Sequence, residues 1–132
     1  MIGLDTSVLL RYLTRDDAAK ATQAAALLES RSRQAPAFIS LVTLIQAVWA
    51  LGTPRYGFSR EDILTAIGTL ASLDELKLQE AEAVRAAVAA ARASGCTFTQ
   101  ALVAELGQAA GCCHTATFDP KAGAALPAMQ SI

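Results

Sequence analysis

Short apolar runs, each stopping at a polar or acidic residue, alternate along this chain with helix-length amphipathic stretches, and no other feature narrows its possible folds as much. Ile2-Gly3-Leu4 stops at Asp5, Ala37-Phe38-Ile39 stops at Ser40, and His114 to Phe118 stops at Asp119. A short apolar run with such a stop reads as a buried strand, and a 3.6-residue apolar period reads as a helix. Strands alternating with helices build an α/β fold around a parallel sheet, because parallel neighbours need a long crossover that a helix supplies. The functional crevice of such a sheet lies outside the carboxyl ends of its strands. Asp5, Ser40 and Asp119 are therefore expected in one neighbourhood.

The segments between these stops carry their own punctuation. A short helix fits Thr6 to about Thr14, with Val8, Leu9 and Tyr12 on one face, and an Ala-rich helix fits Ala18 to Arg33. Ser40 is a good N-cap for an apolar helix from Leu41 to Leu51. Gly52, Thr53, Pro54 and Gly57 mark a loop, and Ser59 with Asp62 opens the next helix through Ile63, Ile67 and Leu70. Glu75 to Leu78 alternates like a half-buried strand. Glu80 to Ser94 reads as an Ala-rich helix that Gly95 ends. Thr97 and Gln100 form a capping box for a helix from Ala101 to Ala110. Asp119-Pro120 opens a last short helix, and Met129 to Ile132 reads as an edge strand.

At 132 residues the chain suits one compact domain over residues 1–132. It is 53% hydrophobic and 17% charged, enough apolar surface for a core. A formal net charge of −1 gives no electrostatic footprint of a dedicated nucleic-acid binder, although a local arginine patch can act inside a neutral protein. Three cysteines cannot close a disulfide framework. Cys112-Cys113-His114 lacks the spacing of a zinc site, and its thiols read as buried at the start of a strand. The opening residues lack the features of a signal peptide, and no apolar run approaches the roughly 18 residues that span a bilayer. A cytoplasmic setting without membrane contact is expected.

Four motifs in order carry a resemblance. Gly3-Leu4-Asp5-Thr6-Ser7-Val8-Leu9-Leu10-Arg11-Tyr12-Leu13 is similar to the first strand and helix of PIN-domain proteins, especially toxins of the VapC type. Phe38-Ile39-Ser40 with Val48-Trp49-Ala50-Leu51, then Thr97 to Ala104, then Thr117-Phe118-Asp119 extend the likeness over nearly the whole chain. The resemblance implies a three-layer α/β/α fold with a central parallel sheet of four to five strands. It implies a metal-dependent endoribonuclease of a toxin–antitoxin system, a homodimer held by a VapB-like antitoxin partner. In that family clustered carboxylates hold Mg²⁺ or Mn²⁺, hard cations that prefer oxygen ligands. The metal activates a water against the RNA phosphate and stabilises the transition state.

Onto this chain the family's acidic positions carry as Asp5 and Asp119, the expected catalytic and metal-binding residues. The glutamate position of the third helix falls on Gln46, and the aspartate position opening the sixth helix falls on Gln100. Thr97 is uncharged as well. A glutamine offers a carbonyl oxygen without the charge that attracts the ion. Glu105 is five residues beyond Gln100, roughly 140° round the helix, and is a poor substitute. Thr6, Ser7, Arg11 and Thr117 flank the acids and are candidates to orient them, a water or a phosphate.

Each residue has a structural reading too. Asp5 and Asp119 precede helices, where an acid serves as N-cap. Gln100 fits the capping box, and Gln46 fits a buried hydrogen-bonded amide. Trp49, Phe58, Ile63 and Ile67 suit either a dimer face or the core. The residues therefore favour a weakened or inactive ribonuclease. The alternatives are an active enzyme that tolerates the glutamines, a non-catalytic PIN module binding antitoxin or RNA, and a purely structural helix-rich interaction protein.

Overall fold

A computed structural model describes all of residues 1–132 and shows an α/β protein of seven helices and five short strands. The chain divides into two compact units, Met1–Gln79 and Glu80–Ile132.

The first unit runs β1 (Ile2–Gly3), α1 (Thr6–Thr14), α2 (Ala18–Glu29), β2 (Ala37–Ile39), α3 (Leu41–Leu51), α4 (Arg60–Ser72) and β3 (Leu76–Leu78). Its strands pair in parallel in the order β1-β2-β3, with Ile2 beside Ala37 and Ala37 beside Leu76. Leu9, Ile39, Leu44, Leu51, Leu64, Ile67 and Leu70 are fully buried and form its core. Burying side chains of this size stabilises by about 1.5–3 kcal/mol each. That gain offsets the modest helix propensity of segments such as α3, whose β-branched residues would not hold a helix alone.

Local chemistry sets the ends of these elements. Ser40 accepts the Thr43 N–H through its side chain at 3.1 Å, so α3 starts where the sequence places it. Ser59 and Asp62 close a reciprocal capping box on α4. Helix α2 stops at Glu29, short of the expected Arg33. Its last turn passes to Ser30, and Arg33 swings out to an exposed ion pair with Asp74.

The second unit runs α5 (Ala81–Ser94), α6 (Phe98–Ala109), β4 (Thr115–Thr117), α7 (Pro120–Ala125) and β5 (Met129–Ser131). Helices α5 and α6 pack closely through small residues, with Ala87, Ala91, Ala101 and Ala104 buried beside Val84, Phe98 and Leu102. Alanine at these positions lets two helix backbones approach. Strands β4 and β5 pair in parallel, Thr115 beside Met129. Gly123 lies so near β5 that a Cβ there would meet the backbone nitrogen of Ser131 at 2.8 Å.

The sequence expectation for Cys112 and Cys113 is corrected here. Both thiols are exposed, on the turn where α6 ends and before β4 begins, and Cys96 is the buried cysteine. Burial tendencies of cysteine fail at a turn whose backbone, with Gly111 at φ +96°, faces solvent. No helix is long and apolar enough to cross a membrane.

Candidate functional site

Each unit supplies one of the expected carboxylates and one of the glutamines. In the first, β1 delivers Asp5 to the start of α1. Asp5 occupies the N-cap position in extended backbone, yet its side chain makes no capping bond. One carboxylate oxygen accepts from Ser7 Oγ at 3.2 Å, a long bond on an exposed residue. The capping explanation for Asp5 therefore lapses, and its carboxylate remains open to a ligand. Thr6 Oγ1 donates to Gln46 Oε1 at 2.6 Å, tying α1 to α3. Gln46 is exposed, which corrects the expectation of a buried amide. The helix face that carries it also carries Val42 and Trp49, and that face is turned outward.

Arg11 lies one helical turn beyond Ser7 and enters a polar cluster that the sequence does not announce. Its Nη1 donates to both oxygens of Asp16, at 3.1 and 3.0 Å, and to Tyr56 Oη at 3.4 Å. Asp16 also accepts from Arg55, from Tyr56 Oη and from Thr14 Oγ1. Burial pushes the Asp16 carboxyl up, but the Tyr56 and Thr14 hydroxyls and the charges of Arg11 and Arg55 outweigh it, and the net is below the usual carboxylate range. The Asp16 charge in turn holds the Arg11 guanidinium above its ordinary value.

In the second unit the acid is handled differently. Asp119 Oδ1 accepts from the backbone N–H of Lys121 at 2.9 Å and of Ala122 at 3.2 Å, so it caps α7. Its own N–H donates to Thr117 Oγ1 at 3.0 Å, a local bond within the turn that leads into α7. The other oxygen, Oδ2, accepts from Gln100 Nε2 at 2.8 Å.

The direction of that last bond is fixed by the capping box. Gln100 Oε1 accepts the Thr97 N–H at 3.1 Å while Thr97 Oγ1 accepts the Gln100 N–H at 3.1 Å. With its oxygen held by Thr97, the amide can turn only its NH₂ toward Asp119. The Asp119 carboxyl is accordingly held below the usual range, first by the Ala122 N–H and against some burial, then by the Lys121 N–H, the Gln100 amide and the Lys121 charge.

These residues do not fit a resident hard divalent cation. Such an ion takes oxygen ligands and favours several carboxylates. Here Gln100 presents a hydrogen-bond donor where a ligand oxygen would be required, and Gln46 Oε1 is engaged by Thr6. Asp119 already answers two backbone donors and one amide. Nowhere in the chain do three or more His, Cys, Asp and Glu side chains gather in a group that could hold a metal. What the arrangement offers is an open carboxylate at Asp5, a satisfied one at Asp119, and hydroxyls and amides able to bond polar ligands.

Two features escape sequence reasoning. The Asp16 cluster joins residues up to 45 positions apart, and no local pattern marks it. The donor orientation of Gln100 was implicit in the Thr97–Gln100 box, since a box that takes the oxygen leaves the nitrogen free. Compared with known proteins, the chain matches no family model, no curated protein and no solved structure.

Proposed function

We propose that this chain is a PIN-like module of the VapC toxin type whose acidic centre no longer supports efficient cleavage, leaving an RNA-binding module held by a VapB-like antitoxin. The observation that carries this reading is the hydrogen bond from Gln100 Nε2 to Asp119 Oδ2 at 2.8 Å. Two carboxylates at these positions would repel unless a cation lay between them, whereas an amide and a carboxylate attract directly. The amide thus supplies the electrostatic partner that a metal supplies in the resembled family. Gln46 follows the same logic, its oxygen bonded to a hydroxyl.

Support for the finer fold comes from strands separated throughout by one or two helices and from parallel pairing in every strand pair. A three-layer arrangement around one parallel sheet of four to five strands is the reading that unites them. Support for a homodimer comes from α3, where Trp49 is 77% and Val42 68% exposed, seven residues apart on one helical face. Ile67 belongs to the core instead.

The test is RNA cleavage with Mg²⁺ or Mn²⁺, set beside thermal melting with and without the ion. The chain itself is expected to cleave little and to melt at the same temperature in either condition. The Gln46→Glu, Gln100→Asp variant is expected to gain ion-dependent stabilisation and cleavage. Aspartate at this position of a capping box is feasible, as Asp62 shows. Robust cleavage by the unaltered chain, abolished by Asp5→Asn, overturns the reading.

A further inference from the structure

A cavity of about 310 Å³ opens between α1 and α2, apart from the residues that Gln46 and Gln100 engage. It lies at the small end of the range for ligand pockets, roughly 300–1,000 Å³, and suits one compact ligand. Arg11 and Lys20 bring its charges, both positive; Ser7 and Gln23 bring neutral polar groups, and Val8 and Leu27 an apolar wall. The carboxylates bonded to lining residues, Asp5, Asp16 and Asp17, stand outside the lining.

Arg11 supplies a second observation. A guanidinium has five N–H donors arranged in forks that match the oxygens of phosphate or carboxylate. Those on Nη1 serve Asp16 and Tyr56. Nε and Nη2 make no hydrogen bond, and Nε is shielded from water without a partner, the one buried side-chain polar atom of the protein in that state. An unsatisfied buried donor is costly, more so on a charged group. The Asp16 clamp meanwhile holds the guanidinium from its other edge, so the unpaired edge is fixed in place before any ligand arrives.

We propose that this cavity binds the phosphate monoester of a single nucleotide, free or at the end of an RNA strand. The phosphate lies against the Arg11 guanidinium and the Lys20 ammonium, with the nucleoside on Val8 and Leu27 and its polar edge toward Gln23. Phosphate binding rests on the cavity, Arg11 and Lys20; the choice of a nucleotide as its carrier rests on the RNA-binding reading above. No bond is made or broken, and no metal is needed.

Calorimetric titration of the full chain with uridine monophosphate, uridine, inorganic phosphate and phenyl phosphate tests it, beside Lys20→Glu and Gln23→Glu. Both positions are exposed, so both variants should fold. The monophosphate is expected to bind about tenfold or more tightly than uridine or inorganic phosphate, and each variant to weaken it about tenfold or more. RNA bearing a 5′-phosphate binding more tightly than its 5′-hydroxyl counterpart assigns the site to strand ends; equal binding with the free nucleotide retained assigns it to mononucleotides. No binding of the monophosphate at 10 mM (a ceiling of roughly 3 kcal/mol), equal binding of uridine, or indifference to Lys20→Glu overturns the site. Phenyl phosphate binding as tightly as the monophosphate overturns the nucleotide assignment. Neither variant touches Asp5, Gln46, Gln100 or Asp119, so a loss here with the metal and cleavage assays unchanged is distinct from failure of the proposed function.

Discussion

The two units place an aspartate at the same kind of position, the end of a strand before a helix, and treat it in opposite ways. Asp119 caps α7, accepts two backbone N–H groups and takes the Gln100 amide on its second oxygen. Asp5 stands at the N-cap of α1, but its carboxylate caps nothing and takes only a long bond from Ser7. The sequence pattern is the same; what differs is whether the local turn brings the helix's free N–H groups round to the carboxylate. A capping aspartate is explained by its helix. One that declines to cap is held in an unneeded position, and that makes Asp5 the better candidate for a ligand.

The glutamines sharpen the contrast. Gln100 is oriented by a capping box and made a donor toward its acid. Gln46 is bound through its oxygen to Thr6 and is exposed. The second unit's polar site is therefore closed by its own hydrogen bonds, and the first unit's is open.

Backbone crowding gives the largest expected break between the units. Gly123→Val drives a side chain into the Ser131 backbone and should lose about 1–3 kcal/mol, read as a lower denaturation midpoint. At Gly3, in the first unit, an added Cβ meets nothing within 4 Å, so Gly3→Val should be neutral or stabilise by up to about 1 kcal/mol. Equal losses at both would remove close packing as the distinction.

Removing the two carboxylates comes next. Asp119→Ala takes away the cap of α7 and leaves the Gln100 amide without its partner, so the melting temperature should fall. Asp5→Ala takes away no cap and should stay within about 0.5 kcal/mol of the original chain. A melting loss for Asp5→Ala as large as that for Asp119→Ala would show Asp5 to be a structural residue after all.

The smallest effect is the acid limb of stability. Asp16 and Asp119 both have carboxyls held below the ordinary range in the folded state. A depressed folded pKa contributes stability that is fully present above the unfolded value, about 3.9, and is lost as pH falls through the folded value. Stability should thus decline below about pH 4, and the decline should be shallower in Asp119→Asn and in Asp16→Asn. A slope unchanged in both variants would place the acid sensitivity elsewhere.

Much of the local structure was legible in the residues. Helix α1 lies where its apolar period puts it, α3 where apolar period and capping put it, and both capping boxes form as their spacing requires. These features depend on neighbours three or four positions apart, and such distances are written directly in the chain. The strand stops at Asp5, Ser40 and Asp119 were legible for the same reason.

Other features depend on residues that only folding brings together. Arg11 and Tyr56 meet at Asp16 across 45 positions, and Thr6 reaches Gln46 across 40. The exposure of Cys112 and Cys113 follows from which side of a turn faces solvent, which composition does not encode. The alternation of short apolar runs and helical stretches thus determined an α/β chain with acids at strand ends. Whether each acid would be satisfied or left open was settled in three dimensions, because a carboxylate's partners are chosen by geometry and its position in the sequence names only the candidates.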